Sequence, residues 1–152
     1  MQKRLRKKTA KEVTRKLKET SGVEVTGDMD RVKVDGYVVI MVDQEPIIIE
    51  HDNRYYFTVY GALKYKPPQW KVMVDQGAMS FVMNGADVMK PGIVEADDNI
   101  KQDDFVYITV EGKDTPIAIG IALVDAKEMK QGKGKAIKNL HHLKDKVWNS
   151  FF

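Results

Sequence analysis

Two rhythms of apolar and polar positions succeed one another along this chain. Near the start, Val13 and Leu17 repeat at i, i+4 among lysines and arginines, the spacing of a single buried stripe on an amphipathic helix. Thr9-Ala10-Lys11-Glu12 fits the S/T-x-x-E capping box, so the helix is expected to open at Thr9, and Ser21-Gly22 to stop it. From Val23 to Thr58 the pattern turns to period two with β-branched residues: Val23/Val25, Val32/Val34, Tyr37 to Val42, Ile47 to Ile49 and Tyr55 to Phe57. Asp35-Gly36 and Gln44-Glu45-Pro46 punctuate these runs as turns, which predicts an antiparallel meander. Thr58 to Tyr65 has the pattern of a short helix, ended by Pro67-Pro68 because neither ring nitrogen can donate. The proline pair is the expected boundary between an α+β N-terminal domain, residues 1–68, and a second domain, residues 69–152.

The second block opens on an apparent strand, Trp70 to Val74, followed by an apolar helix from Gly77 to Met83 and a glycine-containing loop, Asn84 to Ile93. Further strand runs follow at Ile93-Val94, Phe105 to Val110 and Ile117 to Val124, with Asp103-Asp104 and Glu111 to Asp114 as turns. Several short strands with one helix inserted early predict a small, partly open β-barrel.

Composition narrows the function classes. With 152 residues, 43% of them hydrophobic, the chain has material for one good core or two modest ones, and none for a large enzyme. No cysteine is present, which removes disulfides, thiolate zinc sites and thiol nucleophiles and fits a reducing interior. The basic start is not followed by an apolar run, and no stretch approaches the roughly 20 apolar residues of a membrane span, so a cytoplasmic protein is expected. The net charge of +3 hides an asymmetry: residues 1–18 carry +8, residues 127–152 carry +5 and the middle carries −10. Cationic ends on an anionic body suggest that one or both ends face a polyanion, the alternative for the first eight residues being a solubilising tail.

Several motifs, in order, carry a resemblance. Asp75-x-Gly77-Ala78, Gly85-Ala86-x-Val88-Met89-x-Pro91-Gly92-Ile93, Asp103-Asp104, Pro116-Ile117-Ala118-x-Gly120 and Gly132-Lys133-Gly134-Lys135-Ala136 resemble the PUA domain, an RNA-binding module appended to pseudouridine synthases and archaeosine transglycosylases. The ending Asn139 to Trp148 is similar to stand-alone proteins related to the malignant-T-cell-amplified translation factor, which place a small N-terminal domain before the PUA domain. A family turn usually written Gly-Asp is Asp103-Asp104 here. The resemblance implies an α+β N-terminal domain followed by a mainly β PUA pseudo-barrel with short helices. It also implies RNA contacts through Gly85, Ala86, Lys90, Pro91, Gly92 and Ile93 and the nearby last strand.

The residues allow two readings of that loop. In one, the glycines let backbone amides approach a phosphate, Lys90 adds a point charge, and Val88 and Met89 offer an apolar surface to a base or sugar. In the other, Gly85 caps the helix, Pro91-Gly92 makes a turn, and Val88 and Met89 are core. Gly132 to Lys135 fails the P-loop spacing, since Ala136 follows Lys135, so nucleotide hydrolysis is unsupported. As a basic hairpin with Lys133, Lys135, Lys138 and His141, it is expected to extend a cationic track beside the first loop. Of the adjacent His141 and His142, one is expected packed and the other exposed, and a metal role is disfavoured because strand neighbours point to opposite faces.

The acidic clusters Asp97-Asp98, Asp103-Asp104 and Glu50-His51-Asp52 fall at turns, and no nucleophile–base pair is apparent, so no catalytic residue, metal or cofactor is expected. The expected function is non-catalytic recognition of structured RNA, the acceptor region of tRNA or an rRNA site. By resemblance the setting is translation initiation or ribosome recycling, with the small ribosomal subunit or a translation factor as partner. Two alternatives are an accessory subunit for a tRNA- or rRNA-modifying enzyme, and a protein–protein scaffold docking through the N-terminal sheet, where Tyr55, Tyr56 and Tyr60 would supply the surface.

Overall fold

The computed structural model describes residues 2–152, which build two sheets in succession. The first is an antiparallel meander in sequence order: β1 (Gln2–Arg4), β2 (Met29–Val34), β3 (Tyr37–Val42), β4 (Glu45–His51) and β5 (Arg54–Phe57). Helix α1 (Lys7–Ser21) buries Val13 and Leu17 against this sheet, as their spacing requires. Helix α2 (Val59–Tyr65) is N-capped by Thr58, whose hydroxyl accepts the Gly61 amide at 2.9 Å.

Two expectations for the N-terminus are corrected. The capping box is not used: α1 opens at Lys7, Arg6 is its N-cap without a side-chain bond, and Thr9 lies inside the first turn. The cause lies upstream, where residues 2–4 add an edge strand to β2 and the Leu5 amide donates to the Met29 carbonyl at 2.8 Å, delivering the chain to the helix early. Residues 2–8 are therefore anchored and not a tail. Arg4 Nε lies 2.7 Å from the buried Asp30, and that hydrogen bond holds the Asp30 carboxyl below the usual carboxylate range.

The second sheet comprises β6 (Lys71–Val74), β7 (Val88–Met89), β8 (Ile93–Ala96), β9 (Phe105–Val110), β10 (Ala118–Ala122) and β11 (Lys135–His142), in the order β7-β11-β10-β9-β6-β8. Only β6 and β9 pair in parallel. The two edge strands, β7 and β8, are consecutive in sequence and joined by the single 3₁₀ turn Lys90–Gly92. That turn is the seam of a nearly closed barrel, and it carries Lys90, Pro91 and Gly92 of the loop read from the sequence. The remaining helices are α3 (Gln76–Met83), α4 (Ala126–Met129) and α5 (Lys146–Phe151). No helix is long and apolar enough to cross a membrane.

Strands β9 and β10 explain how the halves meet. Val106, Ile108 and Val110, with Ala118 and Ala122, face the barrel interior. Their neighbours Phe105, Tyr107, Ile119 and Ile121 face outward and pack into the core of the N-terminal sheet, beside Tyr56 and Phe57. Both faces of these strands are buried, which is why they read as continuous apolar runs. Trp70 makes the connection in a left-handed conformation, φ 72°, that bulky residues rarely adopt. Its amide donates to Asp97 at 2.8 Å and its indole to Asp104 at 3.3 Å, with the ring beside Gly22 at the end of α1. At the end of the chain α5 adds to the joint: the Trp148 and Phe152 rings pack at a tilt with centroids 4.4 Å apart, and Phe152 packs in the same way on Tyr60 at 5.1 Å.

Candidate nucleic-acid interface

The seam turn forms one wall of a cleft, and α3 the other. Asp75 N-caps α3, its carboxylate accepting the Ala78 amide at 2.8 Å, which fixes the helix directly after β6. Val82 is the helix residue driven into the barrel core; Phe81, one position earlier, is turned out and remains 67% exposed. At the far end, Gly85 takes φ 92°, and its amide and that of Ala86 return to the carbonyls of Val82 and Phe81 at 3.0 Å. Asn139 on β11 locks this end, donating its side-chain amide to the carbonyls of Val82 at 2.9 Å and Ala86 at 3.0 Å.

The seam turn is held from both sides. The Lys90 amide donates to the Gly134 carbonyl at 2.8 Å, and the Asp75 amide to the Gly92 carbonyl at 2.9 Å. A Cβ on Gly92 would stand 3.2 Å from that of Ala78, so glycine permits the close approach of turn to helix. Between them lies a cleft of about 590 Å³, lined chiefly by Ala78, Phe81, Met89, Pro91, Gly92 and Lys135. Met89 is 47% exposed, so two large apolar side chains from different elements face solvent around one recess.

This geometry brings together the loop and the basic hairpin, as expected, and changes the chemistry expected of them. The Lys90 amide is already spent on Gly134, and the Ile93 amide on the Lys90 carbonyl, so the turn is not a nest of free donors for phosphate. Ile93 points its side chain into the core and cannot touch a ligand with it. Lys135 lines the cleft but is paired with Asp87 at 3.1 Å. Lys90 and Lys133 form no ion pair with a described residue, and Lys133 is exposed beside the turn. Lys138 is not brought into the cleft: it lies between Ile137, which faces the barrel interior, and Asn139, which faces α3, so its side chain leaves by the opposite face of β11, across from Ile121.

His141 is corrected outright. It is 1% exposed, with Nδ1 2.7 Å from Asp145, and cannot meet a ligand at the surface. The bulge between β10 and β11 around Ile119/Gly120 turns Leu140 and His141 inward together, which simple alternation does not anticipate. Asp145 also N-caps α5, accepting the Trp148 amide at 2.9 Å. Burial alone would raise the Asp145 carboxyl; its bond to His141, that charge, and the amides of Trp148 and His142 together hold it below the usual range. His142 is the half-exposed partner, its ring beside Gly85. Phe81, Asp87 and Asn139 escaped the sequence reading. For Phe81 the one signal is its place directly before Val82, which sets the two about 100° apart on the helix without saying which of them is core. Of the tyrosines proposed as a docking surface, Tyr55 and Tyr56 are buried and only Tyr60 is half-exposed. Among the described residues no group of three or more histidines or acids is placed to hold a metal ion.

Comparison with known proteins adds independent observations. The sequence model of the PUA domain matches residues 70–143, and that of DUF1947, a domain of unknown function, matches residues 3–65. An uncharacterized protein of Methanocaldococcus jannaschii is 48% identical over 124 residues, covering 81% of this chain and 76% of that protein. Translation machinery-associated protein 20 of Schizosaccharomyces pombe is 44% identical over 85 residues, 53% of this chain and 47% of that protein, so the chain matches about half the length of this translation-associated relative. The crystal structure of a hypothetical protein from Pyrococcus horikoshii superposes with a TM-score of 0.89 at 33% identity, covering all of both chains. The chain therefore belongs to the PUA-domain proteins that carry an N-terminal DUF1947 domain, and it is homologous to translation machinery-associated protein 20 and the malignant-T-cell-amplified proteins.

Proposed function

We propose that this protein binds the unpaired end of a structured RNA in the cleft between α3 and the seam turn, the acceptor end of tRNA or an rRNA site. It would act without chemistry of its own in translation initiation or ribosome recycling, in the cytoplasm at the small ribosomal subunit. Residues 1–68 and 69–152 act as its two domains in this reading. The observation that carries it is the pairing of Phe81 and Met89, exposed apolar side chains around one recess with Lys90 and Lys133 close by. Single-stranded nucleic acid is held by stacking of bases on such side chains and by cations along the backbone. Membership of an RNA-binding domain family with translation-associated relatives supports the same reading.

The direct test compares binding of the full chain to intact tRNA, to tRNA lacking its 3′ single-stranded end, and to a random duplex RNA, each across a salt series. Preference for intact tRNA that disappears on removing the end supports the cleft as the site. Equal affinity for all three, set by salt alone, would reject it.

A further inference from the structure

The cleft leaves most of the chain's positive charge unexplained. The densest unpaired charge lies where β1 meets α1: Lys3, Arg6, Lys7, Lys8 and Lys11 are all exposed, and none forms an ion pair with a described residue. The contrast within α1 is sharp. Its middle cations, Arg15 and Lys16, are paired with Glu12 and Glu19, and the one left without an ion pair beyond them, Lys18, sits in the last turn, where the helix dipole favours a cation. Its first turn holds lysines and no acid, although the partial positive charge at a helix start favours carboxylates there. Arg6, Lys7 and Lys8 thus oppose both one another and the helix dipole. A groove of about 320 Å³ runs alongside, lined by Lys7, Ala10, Lys11, Thr14, Thr26 and Gly27.

We propose that this corner is a second RNA contact, a cationic cradle for the phosphate backbone of a duplex stem. The inference rests on the RNA-binding reading of the barrel and extends it to a two-point footprint. Charge complementarity selects the occupant. A membrane surface would require exposed apolar side chains on α1, yet Val13 and Leu17 are buried under the helix. A protein partner would be anchored by large apolar residues, and the exposed ones, Leu63, Phe81, Met89, Val94 and Phe152, all lie outside residues 2–27. What remains is a patch of cations without large apolar anchors, the chemistry of phosphate contacts that position a nucleic acid without reading its bases. The patch stands at the end of α1 remote from Trp70, which meets Gly22 at the other end of a helix about 22 Å long. In this footprint a few nucleotides seated in the cleft would leave the patch empty, and engaging both would take an RNA with a stem attached.

The experiment compares the wild-type chain with the triple variant Lys7→Glu/Lys8→Glu/Lys11→Glu on two probes, intact tRNA and a short single-stranded oligonucleotide of its 3′ end. Salt is varied from about 50 to about 200 mM. For intact tRNA, affinity should fall on the order of tenfold or more, and the log–log salt slope should become shallower by about two to three, near one per lost phosphate contact. Oligonucleotide binding should stay unchanged, and the thermal midpoint should hold or rise, because acids suit a helix start. A control with the same charge change elsewhere, Lys101→Glu/Lys113→Glu/Lys127→Glu, should have the smaller effect. The proposal is overturned if the folded triple variant binds tRNA with wild-type affinity and slope, or if the control loses as much. A wild-type chain that binds neither probe would instead sink the RNA reading as a whole.

Discussion

The barrel cleft and the basic corner of the N-terminal sheet are both candidate RNA surfaces, and they are built on opposite principles. The cleft is apolar, its loop amides are internally bonded, and the lysine lining it is neutralised by Asp87. The corner has no apolar anchor, and its five cations lack ion-pair partners among the described residues. Charge counted along a sequence is therefore a poor guide to where charge acts: in each cationic end some residues are spent on intramolecular partners, Arg4, Arg15 and Lys16 in the first and Lys135 and Lys146 in the second, while the others are displayed. The pairing suits a division of labour in which stacking supplies the site and electrostatics supplies reach and rate.

The largest expected effect tests whether the two regions are mechanically independent. Phe105 belongs to a barrel strand but is buried among Tyr56 and Phe57 of the first sheet. Replacing it by alanine should cost about 3–5 kcal/mol. Chemical denaturation followed by probes in each half should still show one coincident transition; two separate transitions would mean that the shared core does not couple them. Next is Asp145→Ala, which removes the α5 cap and leaves buried His141 without its partner, an expected loss of about 2–3 kcal/mol. Because α5 packs on Tyr60 through Phe152, this variant should loosen the joint while leaving the cleft residues in place, which hydrogen exchange across both halves would register.

Within the cleft, Phe81→Ala/Met89→Ala should weaken binding of an unpaired RNA end by roughly 1–3 kcal/mol per stacked base, with the salt slope and thermal midpoint unchanged, since both side chains are exposed. A change in slope with no change at high salt would reverse the assignment of roles between the two surfaces. Acid should act on both halves through Asp30 and Asp145. Each carboxyl is held below its ordinary value when folded, so each contributes stability that is present above about pH 4 and lost as pH falls toward the lower folded value. Replacing either by asparagine should flatten that acid limb in a denaturation series. The smallest effect is expected from Lys135→Gln: its charge is already matched by Asp87, and RNA affinity should change by no more than about twofold, consistent with the weak energetics of exposed pairs.

The loop from Gly85 to Ile93, the α3 helix and most strand runs were legible because each is specified by short-range chemistry: a cap, a glycine, a proline or an alternation; the pair Val23/Val25 is the exception, lying in the irregular connection between α1 and β2. Phe81 was not seen as a ligand surface because an apolar helix residue reads as core until the neighbours of its face are known. His141 was misplaced because one bulge shifts the alternation of β11, and nothing in Asn139-Leu140-His141-His142 announces the bulge. The capping box at Thr9 failed because pairing of residues 2–4 with β2, a contact across about 28 residues, set the helix start instead.

By itself the sequence determined the two-part organisation of patterns, the meander, the motif order of the barrel and the separation of charge, all written in neighbours a few residues apart. Tertiary structure alone decided which lysines stay unpaired, which of two histidines is buried, and that the outer faces of β9 and β10 belong to the core of the other sheet. The reason is physical: propensity and periodicity act within a turn or a strand, whereas burial and ion pairing depend on which surfaces meet after the chain has closed on itself.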